Sequence, residues 1–290
     1  MSILSLLLIS LSWFLLPDNS VNGVKIVTRQ VTGAVSDTRI EYLTANRLRN
    51  EWQTHNGDRS GPLMASIIQR GNTNRVFVLD LQAHEYIAYE TDWQGGALGV
   101  KPRPVEYSNG MLQIWIDSVD TGERQAMFGH MARHIITLEK RLATPGACAR
   151  NSESRTDGWY IDDSVMPDWR RAKKNSVAVA VLVSTFTGNC ADKTDRLDVH
   201  RTGVEPGFPL KTNTTTKSEI MGPDGSTRIV ASNWGSEVTE FFEGPLDPAL
   251  FDIPGDFHRV DSLKNWYSPA PRRQLTGWEW FREKVQEFFR

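Results

Sequence analysis

Two histidines four residues apart, His130 and His134, stand in the stretch HMARH. On a helix that spacing would stack both imidazoles on one face, where they could share a metal ion. The zinc protease signature also needs a glutamate directly after the first histidine, and here that residue is Met131. The segment alternates as a strand instead. Four residues at about 3.3 Å each set the rings about 13 Å apart, too far for one ion. The reading is a pair of histidines on the inner face of a sheet, with no metal site. Asp162 and Asp163 follow Trp159-Tyr160-Ile161. Adjacent carboxylates on a strand point to opposite faces and do not make an acid/base pair. No nucleophile elbow, phosphate loop or dinucleotide glycine fingerprint is present. No catalytic residue and no cofactor are expected.

Cys148 and Cys190 are the only cysteines. An even count in an exported chain favours one disulfide between them, with two buried thiols as the alternative. Export is suggested by the start of the chain. Ile3 to Leu16 is apolar except for Ser5, Ser10 and Ser12, and Pro17 ends the run. Crossing a bilayer as a helix takes about 20 residues, so residues 1–22 read as a signal peptide or a short N-terminal anchor. The protein is therefore expected in the periplasm or otherwise exported, or held at a membrane. Lys and Arg number 33 against 35 Asp and Glu, a formal net charge of −2. That balance gives no reason to expect nucleic acid as a partner.

The elements that must carry these residues are mostly short strands. KIVTRQVTG alternates, and TRIEYLTANRLRNEW reads as strand, turn near Asn46, strand. Three further strands fit Ala65 to Gln69, Arg75 to Leu79 and Glu85 to Tyr89, with turn residues between them. This is the rhythm of an up-and-down antiparallel sheet. A hairpin is expected from MLQIWIDSV and RQAMFGHMARHIITLEKRL around the turn DTGE. Leu112, Ile114 and Ile116 share one face of its first strand, and Ala126, Phe128, Ala132, Ile136 and Leu138 share one face of the second. TPGACARNSESRTDG reads as a polar loop, WYIDD as a short strand, and MPDWRRAKK as one helical turn. SVAVAVLVSTF fits a buried strand or a short buried helix. FPLKTNTTTKSEIMG and STRIVASNWGSEVTEFFE read as two strands joined at GPDGS.

The tail differs in character. Residues 263–290 begin with a Pro-rich linker, SPAPRRQ, and end in an amphipathic helix capped by Thr276 and Glu279. Trp278, Phe281, Val285, Phe288 and Phe289 share one face of that helix. It could dock on its own domain, or meet a membrane or an envelope protein through residues 276–290.

Several of these stretches resemble the Lol-type outer-membrane lipoprotein carrier superfamily. LDPALFDIPGDFHRV, with Phe251, Ile253, Pro254, Phe257 and Val260, is similar to that family's C-terminal signature. IEYLTANRLRNEW looks like its second and third strands, and IIQRGNTNRVFVLDLQAHEYIAYE, with Tyr86 and Tyr89, like the strands that follow. GFPLK, Gly207 to Lys211, is similar to a segment of uncharacterised exported relatives. The likeness spans residues 24–262. It implies an α+β fold, mostly β with covering helices, over residues 23–262: an incomplete antiparallel β-barrel, or half-barrel, with an apolar concave face. In the carriers that face shelters acyl chains of lipoproteins, and an arginine at the end of an early strand ties a lid shut. Here Thr44-Ala45-Asn46 stands at that place, with Arg47 and Arg49 just beyond.

The resulting expectation is an exported, non-enzymatic protein that binds lipid or lipoprotein acyl chains. Its ligand surface would include Leu112, Ile114, Ile116, Phe128 and Ile136. An envelope sensor or protein–protein module, and a small-molecule enzyme using the same hollow, are the alternatives.

Overall fold

The computed structural model describes residues 20–33, 35–56, 59–71, 73–91, 106–167, 193–221 and 225–263. The chain is mostly β, and its strands form one large open sheet. The strands are β1 (Val21–Thr32), β2 (Val35–Leu43), β3 (Arg47–Asn56), β4 (Arg59–Ser60), β5 (Met64–Gln69), β6 (Asn74–Asp80) and β7 (Glu85–Thr91), followed by β8 (Glu106–Met127), β9 (His130–Ala143), β10 (Ser152–Ile161), β11 (Lys193–Gly203), β12 (Phe208–Met221), β13 (Thr227–Leu246) and β14 (His258–Arg259).

Two antiparallel meanders make the sheet. The first runs β1-β2-β3-β5-β6-β7, with β4 as a short addition to β3, and the second runs β8-β9-β10-β12-β13. The pairing of β1 with β13, from Val21 opposite Leu246 to Thr32 opposite Trp234, joins them. The consecutive strands β7 and β8 do not pair. Instead β14 adds in parallel to β7, and β11 adds in parallel to β8.

Most expected strands are present, and the central hairpin corrects one expectation. DTGE is not its turn. β8 continues through that stretch to Met127, and Thr121, Gly122 and Glu123 form a bulge between Asp120, opposite Ile135, and Arg124, opposite Arg133. The chain reverses at Phe128 and Gly129, with φ of 50° and 81°. Two consecutive positive φ angles match the right-handed twist of the strands on either side. Gly122, at φ 87°, supplies a left-handed backbone conformation in the bulge that other residues rarely adopt.

A second correction concerns Ser152 to Gly158, which is strand and not loop. Its polar side chains find partners across the sheet, as Thr156 and Thr214 do at 2.9 Å. β11, for which no strand was expected, is held by its register with β8. Third, no covering helix is present among the described residues, whose helical segments are the short 3-10 turns Asp163–Val165 and Pro248–Phe251. Among the described residues, the loop between β9 and β10 and the stretch from Asp247 to Leu263 do the covering. The linker and helix of residues 264–290, the leader to residue 19, SVAVAVLVSTF, MPDWRRAKK beyond Pro167, and Cys190 all lie outside the described residues.

The core is divided. Val24, Ile26, Leu43, Ala132, Ile161, Met166, Phe208, Leu210 and Val238 form the largest cluster. The tip of the β8–β9 hairpin folds onto it. His130 Nε2 lies 2.9 Å from Glu243 of β13, and its ring meets Phe241 edge-on at 5.4 Å. β10 and β12 separate β9 from β13 in the sheet, so these contacts require the sheet to bend at this end.

At the other end, the stretch after β13 is a strap. Asp247 caps the turn Pro248–Phe251 by accepting from the Ala249 N–H at 2.9 Å. Phe251 is fully buried. Gln69 Nε2 donates to the Phe251 carbonyl and Arg49 Nη1 to that of Leu250, at 3.2 and 3.0 Å. Phe257 stacks on His84, whose Nδ1 lies 2.7 Å from the Asp256 carboxylate. Leu263 is buried with Met64, Val76 and Val78.

Candidate functional site

The register of β8 and β9 decides where the expected ligand residues go. Leu112, Ile114 and Ile116 lie opposite Ala143, Arg141 and Glu139 and share one face. Leu112 and Ile114 are buried there with Ala149, and Ile116, Ala143, Leu197 and Val199 pack against them. This face is a filled core. The loop between β9 and β10 lies over it, and the buried Asp195 of β11 pins that loop. The Asp195 carboxylate accepts from the Cys148 and Ala149 N–H groups at 2.8 and 2.7 Å, and from the Ser108 hydroxyl. Gly110 makes the close approach possible, because a Cβ there would sit 2.1 Å from the Ala147 nitrogen.

Ile136 lies opposite Val119 and therefore faces the other side of the sheet. Trp115, Val119 and Leu138 share that side and remain 47%, 54% and 48% exposed, and the exposed Asp117, which accepts from the Thr202 hydroxyl at 2.6 Å, lies among them opposite Leu138. Trp115 stacks on His200 at 4.1 Å. Lys140 of β9 with Glu153 of β10, at 3.4 Å, and Arg155 with Asp157 within β10, at 3.7 Å, border the patch with charge. Phe128 sits apart from both groups, in the hairpin turn, tilted against Phe241 at 6.3 Å. The structure thus keeps Leu112, Ile114 and Ile116 together inside and leaves Ile136 on an accessible side with Leu138, its expected face neighbour, and with Trp115 and Val119, which were not singled out from sequence. The alternation in β9 places Ile136 with Leu138, as expected. Finding Val119 needed the true turn position.

The histidines have separate partners. His134 Nε2 meets Asp157 at 2.8 Å, Nδ1 meets the Thr121 hydroxyl at 3.0 Å, and the ring lies 5.0 Å from that of Trp159. A hydroxyl, an imidazole and a carboxylate in line are the ingredients of a nucleophilic relay. Here Thr121 is also within 3.3 Å of the His134 carbonyl and the Glu123 N–H, within and opposite its own bulge. The network pins the bulge to β9 and β10. Asp162 caps the turn Asp163–Val165 by accepting from the Ser164 N–H at 2.7 Å. No group of three or more His, Cys, Asp or Glu side chains is placed to hold a metal among the described residues.

Charge is concentrated beside the bulge. Arg124 donates twice to Asp120, at 2.8 and 3.0 Å, and the Gly122 N–H donates at 2.9 Å. The Arg124 hydrogen bonds, with help from the Gly122 N–H, hold the Asp120 carboxyl below its ordinary pKa. Burial pushes the Tyr160 phenol up. A hollow of about 260 Å³ beside β7 is lined by Arg75, Phe77, Ala88, Tyr89, Glu90 and Arg259. It is below the usual range for a ligand pocket.

No family model, curated protein or solved structure matches this chain. Among the described residues no helix is long and apolar enough to cross a membrane, which says nothing of crossing by strands.

Proposed function

We propose that this chain is a non-enzymatic binding protein of the cell envelope that takes an acyl chain of a lipid or lipoprotein on the accessible face of β8 and β9. The observation that carries this reading is the exposure of Trp115, Val119 and Leu138 on one face of a hairpin whose other face is packed. Laying about ten methylenes along such a patch contributes on the order of 4–8 kcal/mol before the cost of ordering the chain. No catalytic group is required.

Two features support the half-barrel that the carrier resemblance implies. Strands at opposite ends of the sequence, β1 and β13, pair as they would in a closed up-and-down barrel, while β7 and β8 stay apart. Arg49, one of the two arginines near the carrier's lid-tying position, holds the C-terminal turn through the Leu250 carbonyl.

Native mass spectrometry of protein purified from its envelope fraction tests the proposal. The expected result is a co-purifying acyl mass, lost in Leu138→Glu with the circular dichroism unchanged. Ile114→Glu is expected to unfold the protein instead, because its position is core. An unaltered bound mass in Leu138→Glu would overturn the proposal. So would a ligand-free wild type that captures a membrane protein only when residues 276–290 are present.

A further inference from the structure

Residues 227–233 of β13 have β12 on one side and no described strand on the other, since β1 ends at Thr32, opposite Trp234. Side chains on both faces of this stretch are exposed, with Ile229 at 73% and Val230 at 44%. Sheet edges of this kind are usually blunted by a proline, a bulge or inward charge. Between Gly225 and Ser236 the only charged residue is Arg228, and there is no proline. The recorded register shift in β13 lies further on, near Val238.

The backbone direction follows from one contact. The Glu219 N–H donates to Asn151, away from β13. Successive residues of an antiparallel strand turn their N–H and C=O groups to alternate sides. Ser218 and Ile220 therefore turn toward β13, where they meet Val230 and Arg228. Thr227, Ile229, Ala231 and Asn233 are left with their backbone groups directed outward.

We infer that a second copy of this chain docks on this edge, antiparallel, across a two-fold axis at Val230. Val230 is the midpoint of the free stretch, so only this register overlaps the two edges fully without meeting β1. It sets Ile229 against Ala231 of the second copy and Thr227 against Asn233, all with outward backbone groups. Arg228 falls opposite Ser232, so no like charges oppose each other, and Val230 packs on its own counterpart. The contact is isologous and closes at two copies. It extends one sheet through both chains and leaves the β8–β9 patch uncovered by this pairing.

Sedimentation equilibrium of the full chain at micromolar concentrations tests this independently of any lipid. The wild type is expected to dimerise. Val230→Lys and Val230→Glu should each weaken the dimer about tenfold or more by placing like charges across the axis. An equimolar mixture of the two should recover it. Ala231→Pro removes one outward N–H while sparing the β12 ladder and should give folded monomers; if it unfolds, the Lys/Glu pair carries the test. A wild type monomeric throughout that range, or Val230→Lys as dimeric as wild type, would overturn the inference.

Discussion

Removing the Asp195 carboxylate should loosen the β9–β10 loop and β11 together. Asp195 is only 6% exposed and is approached by the Ser108 hydroxyl and two backbone N–H groups. In Asp195→Ala the Ser108 hydroxyl keeps a partner, the Gly110 carbonyl at 3.2 Å. The Cys148 and Ala149 N–H groups lose their acceptor while their residues stay buried, at 2% and 5% exposure. A buried donor without a partner costs about 1–3 kcal/mol, and a bond to a charged acceptor lies in the upper half of that range. The expected loss is about 3–5 kcal/mol, a large fraction of the stability of an ordinary domain. Asp195→Asn should lose nearly as much, because its amide turns a donor toward one of the donors already there. Urea unfolding followed by tryptophan fluorescence measures the change as a lowered midpoint with an unchanged slope. A loss below about 1 kcal/mol in Asp195→Ala would refute the claim that this carboxylate holds the loop.

Gly110→Ala should destabilise by about 1–3 kcal/mol through overpacking against the loop backbone, read in the same unfolding assay. Arg124→Ala should raise the Asp120 pKa toward its ordinary value, read by NMR titration. With its folded pKa below the unfolded one, Asp120 stabilises the fold above the unfolded pKa, and that contribution disappears as pH falls through the folded pKa. If Cys148 and Cys190 are bridged as the sequence leads one to expect, non-reducing electrophoresis should show a faster band than reducing. Equal mobility with two titratable thiols would count against the bridge.

Strand identity was legible where alternation met clear turn residues, as in β2, β3, β5, β6 and β7. It was less legible where local signals conflicted with long-range pairing. Asp120-Thr121-Gly122-Glu123 carries turn chemistry, yet the β9 register turns it into a bulge and forces Phe128 into the turn. Ser152 to Gly158 looks too polar for a strand, and becomes one because β9 and β12 pair with it on both sides. The same logic governs the candidate site. Periodicity placed Leu112, Ile114 and Ile116 on one face. It could not say whether that face stayed open, because the covering depends on Asp195, some eighty residues away in sequence. Nor could it align Ile136 with Val119 without the turn position.

The union of β1 with β13 has a consequence for biosynthesis. Val21 finds Leu246 only after more than two hundred residues have left the ribosome. Until then the side of β1 that β13 will occupy has no native partner. A fold dominated by such distant pairings matures slowly and spends that interval prone to clumping. Synthesis should therefore be limited by the supply of holding chaperones. Shortening the chain before Leu246 should yield insoluble material, not a smaller working protein.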